Sequence, residues 1–453
     1  MKGEFYMLLN VNKQIIGCMI LLVLSAAGTS TAAVADNNDL EAMRKEFNRL
    51  RKQVQELGSE IDGLKDDKGQ KEDIRSEYQD QLQEIREDVT KLNESPLRGL
   101  ESTLGKLKFG GYGEIHSNFT EGTESDKVDF HRLVLYLGYD FDDWIKFHSE
   151  TELEHAFVND GDGEISIEQA LVDFLFSDGF NIKAGRLLTP IGIINKTHEP
   201  PTFNGVERPN FSKYIIPTTW SSDGIGLFGS LNPSLNYEAY VVAGLDGDSF
   251  SSSGIRGGRI KSRQSLNEVA FTGRFDYRPF EEALARSDQS LRLGLSGYFG
   301  GLDNIDGGGG SGKDGEIAMT SGDFEYSISK FDFRGVIANT NIDGARDFGG
   351  SVAEEMFGWY LEGAYHFWPD EWKTGKLKKS DATVFVRYEE YDTQREMPSG
   401  IAEDKSKDRD DLTFGVNFYL TPNFVIKADY QILDDASGTD RDDLFNIGIG
   451  WTF

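Results

Sequence analysis

Residues 445–453 read FNIGIGWTF, with Phe445, Ile447, Ile449, Trp451 and Phe453 on one face and Asn446, Gly448, Gly450 and Thr452 on the other. A repeat of two is that of a β-strand, whose successive side chains point to opposite sides of the sheet. An all-apolar face on a last strand would invite edge aggregation in water, whereas it suits a strand turned toward lipid. The same alternation recurs upstream. Leu133, Leu135, Leu137 and Tyr139 alternate with Arg132, Val134, Tyr136 and Gly138. Val269 to Tyr277 and Leu412 to Leu420 repeat the pattern.

Sixteen such segments lie between residues 107 and 453. Asp142-Asp143, Ser177-Asp178, Asn232-Pro233 and Thr421-Pro422-Asn423 read as tight turns, and the links between them are longer and rich in Gly and Asp. An even strand count with short turns opposite long loops predicts an all-β fold, a 16-stranded antiparallel transmembrane β-barrel. Mean hydropathy is −0.46, because only every other strand residue needs to be apolar.

A different period precedes the barrel. From Leu40 through Met43, Phe47, Leu50, Val54, Leu57, Ile61 and Leu64, and again from Tyr78 to Leu92, apolar residues keep 3-4 spacing. Thirteen of sixteen positions in that register are apolar, with Lys68, Lys71 and Arg75 the exceptions. This predicts an N-terminal α-helical coiled coil over residues 36–97, stopped at Pro96 and joined to the barrel (107–453) by a linker at 98–106. Such a helix would be roughly 80 Å long, too long for one small domain to cover, so an oligomeric coil is expected. Residues 1–35 read as a signal peptide: Lys2 and Lys13 precede an apolar run from Ile15 to Ala27, and Ala33-Val34-Ala35 offers a cleavage site before Asp36. Cys18 is the only cysteine and lies inside that run, so no disulfide or Cys-ligated metal is expected in a chain starting at Asp36. These features predict the outer membrane of a Gram-negative bacterium, with the coil in the periplasm.

The connection from Thr189 to Ser222 is long and proline-rich, suited to folding inward and narrowing a pore. Together, Gly185-Arg186, the Thr189-Pro190-Ile191-Gly192 segment, this loop and Asp223-Gly224-Ile225-Gly226 resemble the phosphate-selective porin O and P family over about residues 107–453. The resemblance implies a trimeric porin favouring phosphate-like anions. Separately, the terminal aromatic on an amphipathic last strand, with Trp451 and Phe453, resembles the signal read by the barrel-assembly machinery. Outer-membrane lipid, lipopolysaccharide and inorganic anions are the remaining expected partners.

An anion path needs fixed cations where the ion loses water. The third long loop offers Lys196, Arg208 and Lys213, with His198, against Glu199 and Glu207, a small positive excess. The fourth offers Arg256, Arg259, Lys261 and Arg263; in an extended segment the last three would stand on one face about 6.7 Å apart, which resembles the family's basic ladder. Arg132 and Arg186 complete the candidates. Strand cations Arg132, Arg274, Arg278, Arg292, Arg334, Arg387 and Lys427 are matched by Glu150, Glu152, Glu154, Glu238, Asp276, Glu362, Glu389 and Asp429, so pairing across the wall is expected.

A net charge of −30 argues against nucleic acid as a partner. Residues 307–314, GGGGSGKD, fall short of a phosphate-binding loop because Asp314 stands where Mg²⁺ needs Ser or Thr. Asp160 to Glu164 is half a calcium loop without its distant Glu. Six scattered His without a triad or HExxH motif give no catalytic, metal or cofactor expectation. The reading is a porin for small hydrophilic solutes. Its alternatives are a general or cation-preferring porin tethered to the envelope by its coil, and a barrel sheath around an electron-conducting cytochrome.

Overall fold

The computed structural model describes residues 105–453 apart from 123–125, 156–162 and 440. The predicted signal peptide and coiled coil lie outside the described residues. Sixteen strands run in chain order. The first eight are β1 (Leu107–Thr120), β2 (Lys127–Asp142), β3 (Ile145–Glu154), β4 (Glu164–Ser177), β5 (Phe180–Leu188), β6 (Ser221–Asn232), β7 (Leu235–Ala243) and β8 (Val269–Tyr277). The second eight are β9 (Gln289–Gly301), β10 (Glu316–Ile328), β11 (Phe331–Asp343), β12 (Glu355–His366), β13 (Asp381–Glu396), β14 (Asp408–Thr421), β15 (Phe424–Asp435) and β16 (Leu444–Thr452). Each pairs antiparallel with its neighbours, and β1 closes on β16.

Closure rests on the stretch quoted first. Ile115 opposes Ile449 and Phe119 opposes Phe445, and the last residue joins the seam: Phe453 N–H donates to Gly111 O at 2.9 Å and Gly111 N–H returns to Phe453 O at 3.0 Å. The sheet then has no open edge, the condition for crossing a bilayer with strands. The outward residues are apolar and open: Phe271, Leu295, Ile337, Val386, Phe414 and Ile447 are each 40–62% exposed. Aromatics ring the end with the short turns, where Trp144, Phe176 and Phe180 form a chain of ring contacts near 5.9 Å and Phe109 meets Phe453 at 6.0 Å. This apolar belt with its aromatic girdle is the surface of an outer-membrane barrel.

The alternation of link lengths has two exceptions. Residues 278–288 carry a short helix (Glu281–Ala285) and residues 367–380 two helical turns, both at the short-turn end. At the other end eight longer loops alternate with them. Loop 3 is 189–220 and loop 4 is 244–268.

Gly185 shows how tightly the wall is built. Its φ is +130°, and a Cβ there would sit 2.2 Å from Ala170 O on the paired β4. Gly185→Ala is expected to destabilise the barrel by about 2–3 kcal/mol, read as a lower urea midpoint in detergent.

Loops 3 and 4 do not stay outside. Ile191, Ile193, Phe211, Ile215, Ile216 and Trp220 of loop 3 join Leu245, Phe250 and Ile255 of loop 4 in one buried apolar cluster. The wall meets them with inward apolar residues on β8 to β13, among them Tyr298, Met319, Val336, Met356 and Tyr360. Sequence alternation implied a water-facing lumen, but on this side the inner face is a packed core. Area burial of this kind favours docking by about 25 cal/mol per Å² of apolar surface.

Candidate functional site: the constriction

Loop 3 crosses the lumen and is fastened to the far wall by charge. Arg387 on β13, 1% exposed, bonds Glu362 (3.2 Å), Glu389 (2.9 Å) and the loop carbonyl of Asn204 (3.2 Å). Glu389 accepts the backbone N–H of Phe211 at 2.8 Å, Glu362 accepts from Asn204 Nδ2 at 2.8 Å, and Lys427 donates to the carbonyls of Phe203 and Gly205. The bare inner face of β16 gives the loop its seat: a Cβ on Gly450 would come within 2.2 Å of Pro200, and one on Gly448 within 2.8 Å of Val206. The small face of FNIGIGWTF is therefore a docking surface.

The expected inner pairing is present in part: Arg274 bonds Asp276 at 2.8 Å, Arg292 bonds Asp276 at 2.8 Å, and Arg334 lies 3.3 Å from Glu362, whereas Lys427 bonds loop carbonyls and, among the described residues, Arg278 has no carboxylate within ion-pair distance. Two spaces remain beside the β1–β4 wall. The cavity toward the long loops is about 470 Å³, with Glu114, His116, Arg132, Glu207, Arg208 and Arg256 in its lining. The cavity toward the short turns is about 540 Å³, with Tyr136, Glu150, Lys183, Lys196, His198 and Glu199 in its lining. Between them lies a charged layer. Arg132 bonds Glu114 (2.6 Å) and Glu152 (2.9 Å), Arg208 donates to His198 O (3.0 Å), and Glu150, Glu168 and His198 face one another.

The candidate cations fall into two groups. Arg186, Arg259, Lys261 and Arg263 fasten loops. Arg186 clasps Asp223 at 2.7 and 3.0 Å and donates to the carbonyls of Lys261 and Ser262. Arg259 donates to Thr218 O, Lys261 pairs with Glu164 at 2.8 Å, and Arg263 bonds Gly307 O. The expected row on one extended face is thus replaced by three separate anchors, because each cation finds an acceptor on a different segment. Lys196 is held by Glu238.

The second group faces the outer cavity. Arg208, Lys213 and Arg256 line it together, and among the described residues none has a carboxylate within ion-pair distance, while Arg132 stands paired at its floor. Burial first, then the like charge of Arg208, holds the Arg256 pKa below the ordinary guanidinium value.

Histidine is where sequence reading fell short. His116 stacks on His131 at 4.6 Å, and His131 meets His155 edge-on at 5.4 Å, with Asp129 bonding both of the latter, at 3.2 and 2.7 Å. The two-residue spacing of Asp129 and His131 was visible, but His116 and His155 join them only through the registers of β1, β2 and β3. Asp129, His131 and His155 form one group with metal-ligand atoms in reach of one another, and Glu150, Glu168 and His198 form another.

No family model matches the chain. An uncharacterized protein of Aquifex aeolicus (strain VF5) is 33% identical over 372 residues, which cover 77% of this chain and 80% of the relative. Among solved structures, a loop L8 deletion mutant of OmpT, an outer membrane protein of Vibrio cholerae, aligns with a TM-score of 0.50 at 12% identity, covering 77% of this chain and 99% of that one. OmpF of Salmonella typhi, in complex with daunomycin, aligns with a TM-score of 0.50 at 13% identity over 77% and 97%. The chain belongs to the family of the Aquifex aeolicus protein, and its fold is that of the outer-membrane porins.

Proposed function

We propose that this protein is a passive outer-membrane channel for small hydrophilic solutes, narrowed by loop 3 and favouring small anions, phosphate among them. The observation that carries the anion preference is the outer cavity, where Arg208, Lys213 and Arg256 stand without carboxylate partners among the described residues. Fixed cations at a narrow point raise the local concentration of anions and replace part of their hydration. The apolar core of loops 3 and 4 occupies the space a protein conductor would need, which weighs against a cytochrome sheath. A homotrimer is the proposed assembly, held by the coil expected over residues 36–97. The channel reading requires no catalytic group.

The anion preference is tested with Arg208→Gln combined with Arg256→Gln in planar bilayers. A unit charge about 4 Å away in water favours an anion and disfavours a cation by about 1 kcal/mol each, so the anion-to-cation permeability ratio should fall by up to about thirtyfold per cation removed. An unchanged reversal potential would remove these residues from the path.

A further inference from the structure

The layer between the two cavities holds a group of side chains that narrowing a channel does not explain. His198 lies in the first turn of loop 3, 2% exposed. Asn195 fixes that turn: its amide donates to Thr189 O (2.7 Å) and Trp220 O (3.0 Å) and accepts from Trp220 N–H (2.8 Å). The Asn195 carbonyl lies 3.2 Å from His198 Nδ1, which places a ring proton there and points Nε2 at the wall. What it meets is Glu150 Oε1 on β3 at 3.5 Å and Glu168 Oε2 on β4 at 3.6 Å.

These distances are long for hydrogen bonds. They match the edge of a coordination shell, since ligands about 2.0–2.2 Å from a tetrahedral cation stand roughly 3.3–3.6 Å apart. His198 Nε2, Glu150 Oε1 and both Glu168 carboxylate oxygens are buried without a hydrogen-bond partner. Glu150 and Glu168 are 2% and 5% exposed. The other oxygen of Glu150 is fixed by Gln169 Nε2 at 2.5 Å, an outer hydrogen bond of the sort that orients metal ligands. The nearest strand cation, Arg132, is already bonded to Glu114 and Glu152. Buried carboxylates cost several kcal/mol each unless a cation sits among them, and here that cation is either a metal ion on Nε2 or the second proton of an imidazolium His198, which the metal would displace.

The geometry points to a divalent transition-metal site, Glu150–Glu168–His198, in which a zinc-class cation clamps loop 3 to β3 and β4. One imidazole nitrogen with carboxylate oxygens and no thiolate suits Zn²⁺ or Mn²⁺ better than a soft metal. Glu150 and His198 also line the 540 Å³ cavity, which leaves an open side for water to complete the shell. The site holds the constriction whatever solute crosses it, so it does not rest on the anion reading.

The test uses the full chain folded in detergent, stripped with chelator, reloaded with Zn²⁺ alone, washed and assayed for bound zinc. Glu168→Gln and His198→Gln should each retain one equivalent fewer than the unmodified chain while keeping the folded, heat-modifiable barrel band on electrophoresis. His155→Ala, which breaks the separate outer group, should leave this equivalent in place. X-ray absorption at the zinc edge of the loaded His155→Ala protein should show one imidazole within an otherwise oxygen shell. Equal zinc in the unmodified chain and both inner variants, or a zinc shell lacking imidazole in the His155→Ala protein, would overturn the site. Conductance is not the readout, so this result and the channel result stand or fall separately.

Discussion

Arg387→Met will destabilise the protein by about 3–5 kcal/mol, the penalty for stranding buried carboxylates by removing their shared cation. Glu362 and Glu389 are 3% and 0% exposed, and both hold loop 3 through Asn204 and Phe211. Arg334 can still serve Glu362, but no other Arg or Lys lies within ion-pair distance of Glu389 among the described residues. The loss should appear as a lower urea midpoint and as faster proteolysis within 200–211, since the fastening of the loop goes with it. The surface pair Arg286–Glu282 is the control: at 81% and 93% exposure, its removal should leave the midpoint unchanged.

Trp220→Ala should act at the other end of the same loop, by about 3–5 kcal/mol. Trp220 is fully buried, its ring centroid 4.7 Å from that of Tyr298, and its backbone bonds Thr189 and Asn195 where loop 3 leaves and rejoins the wall. Truncation empties the centre of the apolar cluster that holds loops 3 and 4 in the lumen. Urea unfolding should show the loss, and single-channel conductance should rise as the loop loosens. A stability loss with unchanged conductance would place the tryptophan in the barrel fold but not in the constriction.

The sixteen strands were legible because a barrel leaves a period of two, and segments such as Val269–Tyr277 carry it cleanly. Loop 3 was legible as an inward loop from its length and prolines. The packed core was not, because the inner-face apolar residues of β10 to β12 near the long loops, such as Ile317 and Met319, interleave with the outer series and carry no separate period. Cations in loop 4 could be counted but not assigned. Whether Arg259 or Arg256 stays open to the lumen depends on which carbonyls the folded loops offer, and Thr218 claimed Arg259. The metal-type groups needed strand register: Glu150 faces Gln169, and Glu168 turns to the same side because the β3–β4 pairing shifts between Glu150 and Thr151.

We propose that this barrel conducts small ions through a loop-narrowed path with an anion preference. Reconstitution of the full chain in a planar bilayer under a KCl gradient tests it most directly. Discrete conductance steps with a reversal potential displaced toward the chloride equilibrium potential are the predicted result. Absence of steps from folded, inserted protein would contradict the channel, and displacement toward the potassium potential would contradict the anion preference.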